Sequence, residues 1–163
     1  MLAAACLLGL AGVLQAQDDL AARARQAKQA MDAGHFTEAA ALYGRLVQTL
    51  PDNAGLRLDL GLALHSAGRR RDAVTQFQAA VRRDPNLAAA WLMLGLSDLE
   101  LDQPRDALAP LSRVLRLDPA NQRARLQLAE AYLSLGKPED AGLEFNKAAE
   151  FEPGNPKAWQ GLG

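Results

Sequence analysis

Apolar residues return every three or four positions along most of this chain. Leu56, Leu60 and Leu64 make one such stripe, and Ala73, Phe77, Ala80 and Val81 make the next. That spacing lines one face of an α-helix, whereas a half-buried strand would alternate at every second residue. Gly68 stands between the two stripes, with counterparts at Gly34 and Gly136. Glycine accepts the positive φ at which helices commonly end. Asp102, a less permissive turn residue, holds the third such place. Each pair of stripes predicts a helix–turn–helix.

The pair recurs at a fixed interval. Pro51, Pro85, Pro119 and Pro153 stand 34 residues apart, and Ala39, Ala73, Ala107 and Ala141 keep the same spacing. So do Tyr43, Phe77, Leu111 and Phe145. Self-similarity of this length marks stacked supersecondary units. The units run 20–53, 54–87, 88–121 and 122–155, and 156–163 reads as the start of a fifth.

Local chemistry agrees with these limits. Pro104 and Pro138 suit a first helical turn, which needs no backbone donor. Glu38, Asp72, Asp106 and Asp140 fall in the first turn of each second helix, where negative charge complements the helix dipole. Arg82, Arg83, Arg113, Arg116 and Lys147 lie toward the opposite ends. Asp84, Asp118 and Glu152 each precede a proline, which disfavours further helix. Asn53, Asn86, Asn121 and Asn155 are then available as caps for the next helix. Gly61 and Gly95, with Ala80 and Ala148, permit close helix approach.

Composition narrows the function. The chain has 163 residues, a formal net charge of −1, 49% apolar residues and 5% aromatic residues. A near-neutral balance gives no general attraction to nucleic acid. Arg69–Arg71 and Arg82–Arg83 are followed by acids and read as solvated helix ends. Cys6 is the sole cysteine, so neither an intrachain disulfide nor a cysteine metal site can form.

Met1 to Leu14 is apolar without interruption. As a helix it reaches about 21 Å, short of a hydrocarbon core of about 30 Å. Residues 1–16 therefore read as a signal peptide cut after Ala16, and the expected location is periplasmic or extracellular. Against this, no Lys or Arg precedes the run, and Leu14 is large for its place before a cut. An uncleaved anchor, giving membrane contact, and a cytoplasmic chain stay open.

No catalytic constellation, metal ligand set or cofactor motif stands out. His35 and His65 lie in different units, far from any ligand spacing. Ser66, Ser97, Ser112 and Ser134 have no nucleophile-elbow context. Trp91, Trp159, Tyr43, Phe77, Phe145 and Tyr132 sit at repeating positions and read as packing residues; Phe36 and Phe151 stand off the pattern. Asp98 replaces an expected tyrosine and reads first as the partner of an arginine such as Arg125, and second as the mark of a local polar contact.

The pattern resembles the tetratricopeptide repeat family, with its Trp-x-x-Leu-Gly-x-x-Tyr, Ala, Phe and Pro positions. Trp91, Leu94, Gly95, Ala107 and Pro119 carry it in the third unit, and Leu128, Tyr132, Gly136, Ala141, Phe145, Ala148 and Pro153 in the fourth. Arg23 and Gln26 depart from it in the first, as suits a terminal unit. The resemblance implies an all-α, α-α solenoid, a right-handed superhelix whose first helices line a concave, partner-binding groove. Carried over residue by residue, that groove face comprises Lys28; Leu58, Asp59, Leu62 and His65; Leu92, Met93 and Leu96; and Arg123, Leu126, Gln127 and Glu130.

The clamp by which some members hold a C-terminal carboxylate is missing, since Ala24, Lys28, Asp59, Ala89 and Met93 occupy its places. The middle of the groove is apolar instead, fitting an amphipathic or extended segment of a protein partner. Several of those leucines also fit a plainer role, packing neighbouring first helices together. The expected function is a non-enzymatic interaction scaffold without cofactor. The alternative is an accessory region of a larger enzyme, such as a transferase or peptidase, lying beyond Gly163. Trp159, Leu162 and Gly163 repeat the opening of a first helix, which reads as an incomplete fifth unit able to self-associate.

Overall fold

The computed structural model describes residues 19–160, so the leader expected at 1–16 and the last three residues lie outside them. Among the described residues the chain is a succession of helices with no strand. They are α1 (residues 19–32 as described), α2 (Phe36–Thr49), α3 (Ala54–Ser66), α4 (Arg70–Arg83), α5 (Ala88–Glu100), α6 (Pro104–Leu117), α7 (Gln122–Ser134), α8 (Pro138–Phe151) and α9 (Pro156–Gln160). Starts at 36, 70, 104 and 138, and at 54, 88, 122 and 156, keep the 34-residue interval of the prolines. From α2 to α9 each helix packs on the next, and α1 shares an apolar cluster with α2, giving the expected solenoid of hairpins. No described helix is long and apolar enough to cross a membrane.

The turn inside each hairpin has one geometry. Gly34, Gly68 and Gly136 have φ of 76°, 78° and 67°, and Asp102 joins them at 59°. The amide after each donates to a carbonyl five residues back: His35 to Ala30, Arg69 to Leu64, Gln103 to Asp98 and Lys137 to Tyr132. This is the Schellman closure, which satisfies carbonyls that a helix end leaves free. Asp102 performs it at the steric cost that glycine avoids.

Three of the four candidate asparagine caps act as drawn. Asn53 Oδ1 accepts from Leu56 N at 2.9 Å and Asn121 Oδ1 from Ala124 N at 3.0 Å. Asn155 Oδ1 accepts from Lys157 N at 3.1 Å, at the start of α9. Asn86 does not cap α5. It sits one residue early in the period, Leu87 holds the cap position, and Asn86 Oδ1 accepts from Arg113 instead. Arg82, Arg83 and Arg116 lie in last turns as drawn. Lys147 falls before the last turn of α8 and pairs with Glu144 at 2.7 Å.

The core is a string of three apolar clusters. The first joins α1 to α5 around Tyr43, Leu46, Leu64 and Phe77. The second centres on Leu111, Val114 and Leu128, and the third on Phe145, Ala148 and Ala158. Trp91 belongs to the edges of the first and second, and Tyr132 to those of the second and third. Gly61 and Gly95 are required where hairpin helices meet. A Cβ on Gly61 would lie 2.4 Å from the Phe77 ring, and one on Gly95 2.7 Å from Leu111. Burial of rings and branched chains at these contacts stabilises by about 1.5–3 kcal/mol per side chain.

One device ties successive units. Arg57 Nε donates to the Pro51 carbonyl at 3.0 Å, Trp91 Nε1 to that of Pro85 at 3.0 Å, and Trp159 Nε1 to that of Pro153 at 2.8 Å. Arg125 Nη2 bonds the Pro119 carbonyl in the same way. The motif tryptophan is thus interchangeable with arginine. Both pin a first helix to the proline corner six residues before it.

That tie overturns the expected Asp98–Arg125 pair. The Arg125 guanidinium is spent on Pro119, on Glu144 at 3.0 Å, and on the Phe151 ring, whose centroid lies 5.3 Å away. Asp98 is buried with no ion pair or hydrogen bond for its carboxylate among the described residues. Burial, and then the charge of Asp106, push its carboxyl up to about 6. The neighbouring Ser97 Oγ is buried without a partner as well. Trp159 is another correction. It is 55% exposed on α9 instead of packed into a core.

Candidate interaction groove

The first helices come closest together. α3 touches α5 and α5 touches α7, whereas second helices make no comparable contact with one another. The face built by the first helices α1, α3, α5 and α7 is the candidate interaction face.

Its candidate residues divide by burial. Leu96 and Leu126 are buried at 8% and 9% exposure and belong to the wall, where they hold helices together. Leu58, Leu62 and Met93 are half-buried against the first core cluster, and Leu92 against the second. Lys28, Arg123 and Glu130 are exposed, and Gln127 is half-buried and donates to Glu130 at 2.6 Å. His65 is half-buried at the end of α3, with Nε2 3.6 Å from Glu100 of α5. Arg70 reaches the same Glu100 at 3.0 Å. The groove thus has a half-buried apolar middle, with polar ends at the first and fourth units.

At the first end the face deepens. Lys28, Met31 and Asp32 of α1, Tyr43 of α2, and Asp59 and Leu62 of α3 line a pocket of 240 Å³. Lys28 Nζ is held by Asp32 at 2.8 and 3.1 Å, one helical turn away. Asp59 has no such partner among the described residues, and burial raises its carboxyl above the ordinary 3.8. Tyr43 is only 7% exposed. Burial first, then the charges of Asp59 and Asp32, raise its phenol above 10.0.

Sequence reasoning placed Lys28, Asp59 and Leu62 on this face but not Asp32 or Tyr43. The signal for Asp32 was its i, i+4 spacing from Lys28 on α1. Tyr43 carried none, because it comes from a second helix and repeats as a core residue.

Among the described residues no group of His, Cys, Asp and Glu is placed to hold a metal. The chain can present a shaped surface.

The tetratricopeptide repeat signature matches residues 30–96 and 98–163. The chain belongs to the tetratricopeptide repeat family. Among curated proteins, no relative matches it. Solved structures of the same fold include MamA 41-end from Desulfovibrio magneticus RS-1, 25% identical with a TM-score of 0.83, over 89% of this chain and 82% of that one. YrrB, described as a TPR protein with an unusual peptide-binding site, is 21% identical with a TM-score of 0.81, over 93% and 78%. The first TPR of Spaghetti (RPAP3), bound to the HSP90 peptide SRMEEVD, is 19% identical with a TM-score of 0.63, over 67% and 86%. At 21% and 19% identity the last two show a shared tetratricopeptide fold alone.

Proposed function

We propose that this tetratricopeptide chain is a non-enzymatic scaffold that holds an extended or helical segment of another protein against the inner face of its first helices. The observation that carries the reading is the run of half-buried apolar side chains, Leu58, Leu62, Leu92 and Met93, along adjoining first helices. Half-exposed apolar area of this kind gains free energy when a partner covers it, about 25 cal/mol per Å². YrrB and the Spaghetti repeat, named for peptide sites or peptides, support the same use of this fold. The apolar run at Met1–Leu14 supports action after export.

Photo-crosslinking from single positions tests the scaffold. A crosslinker is placed at Met93 or Gln127 on the inner face, and at Thr75 or Arg105 on exposed parts of second helices. One discrete adduct from the inner positions only is expected in the producing cell. Adducts confined to the outer positions would overturn the groove. Leu92→Glu should then abolish the inner adduct with helicity unchanged. Leu96 is too buried to serve in that test, since a charge there would damage the fold itself.

A further inference from the structure

The pocket between the first and second units has more hydrogen-bond acceptors than it has donors to fill them. Asp32 and Asp59 bring two carboxylates, and Lys28 is the single cation on its rim, already engaged with Asp32. The Asp59 carboxylate is half-buried without an ion pair or hydrogen bond among the described residues. Tyr43, only 7% exposed as a residue, lines the same pocket, and its hydroxyl has no hydrogen-bond partner among the described residues either. Both groups open onto the pocket as unfilled, partly desolvated acceptors, which an incoming donor with positive charge satisfies.

The remaining walls are Met31 and Leu62, apolar surfaces suited to a methylene stem rather than to a hydrated ion. With two carboxylates against one ammonium, the pocket repels a peptide carboxylate. Lysine and arginine side chains match both features, a cationic head on an aliphatic stem. Resting on the groove reading above, we propose that this pocket receives the charged head of a lysine or arginine from an extended segment of the partner protein. Asp59 and the Tyr43 hydroxyl accept from that head, while its stem lies on Met31 and Leu62. This is the reverse of carboxylate capture, brought about by an acid at position 59.

Nitrogen-15 amide spectra of the whole chain test it, with blocked pentapeptides Ac-Ala-Ala-X-Ala-Ala-NH2 in which X is Lys, Arg, Gln or Glu. Saturable shifts at Met31, Asp32, Asp59 and Leu62 are expected with Lys and Arg, about tenfold weaker binding with Gln, and none with Glu. Asp59→Asn should weaken the Lys peptide about tenfold, and Lys28→Ala, which frees Asp32, should strengthen it. Asp59→Asn removes an unpaired half-buried charge, so its melting temperature should not fall, and a lost affinity cannot be blamed on unfolding. Equal binding of the Lys and Gln peptides, or an Asp59→Asn chain that binds the Lys peptide unchanged, overturns the cation pocket. Shifts around Met93 and Gln127 with all four peptides alike overturn the pocket and leave the scaffold standing. Absence of any shift with the Lys peptide overturns the pocket outright.

Discussion

Asp98 should make this array less stable as pH rises. Its carboxylate is buried in α5, and its pKa goes from 3.8 to about 6 on folding. Between those values the folded chain holds a proton that the unfolded chain has released, so unfolding free energy falls with increasing pH. The loss begins near the lower value, is complete above the higher one, and is absent below both. Two pKa units correspond to about 3 kcal/mol, and relaxation around the ionised group brings the expected loss to about 2–3 kcal/mol. Asp98→Asn keeps the shape and cannot ionise. Urea unfolding followed by circular dichroism at about pH 4 and about pH 7.5 should then show the two proteins similar in acid, with the variant gaining about 2–3 kcal/mol relative to the native chain at the higher pH. Asp59, raised in the same direction, is present in both and cancels in the comparison. If the difference between variant and native is the same at both pH values within about 0.5 kcal/mol, Asp98 is not the uncompensated acid described above.

Two further outcomes follow from the packing. Gly95→Ala places a methyl 2.7 Å from Leu111 and should cost about 1–3 kcal/mol in urea unfolding, and Gly142→Ala, with nothing within 4 Å, should cost nothing measurable. Arg125→Ala leaves Glu144, which is 13% exposed, with Lys147 as its remaining partner and releases the Pro119 tie, so it should cost about 1–3 kcal/mol; adding Glu144→Leu should recover part of that in a double-mutant cycle.

Helix limits were legible because they depend on chemistry within a few residues. A glycine at Gly34, Gly68 or Gly136 and a proline six residues before each motif tryptophan act locally, and a fixed period multiplies the signal. The one capping error shows the same thing from the other side. Asn86 stands 33 residues after Asn53, not 34, and counting strictly would have put it outside the cap. The Asp98–Arg125 pair failed for a different reason. Which of several polar groups an arginine reaches is decided in three dimensions, and Pro119, Glu144 and Phe151 all lay within reach of this one. Trp91 also obscured the equivalence of Arg57 and Arg125, since residue type alone does not disclose that each serves as a donor to a proline carbonyl.

The groove was less legible because it is built from positions that do not repeat. Arg25, Asp59, Met93 and Gln127 share one place in successive first helices and have four different chemistries. Lys28, Leu62, Leu96 and Glu130 share another, and they too differ in character between the ends and the middle. Wherever every unit faces the same demand, as at a turn, a close helix approach or a proline corner, the chain returns the same residue or one with the same donor. Wherever the demand comes from outside the array, nothing requires the units to agree. Periodicity therefore locates the surface and is silent about what it selects. The selection has to be read from the unmatched groups themselves, and the clearest of them are Asp59 and Tyr43, unpaired among the described residues and facing one pocket.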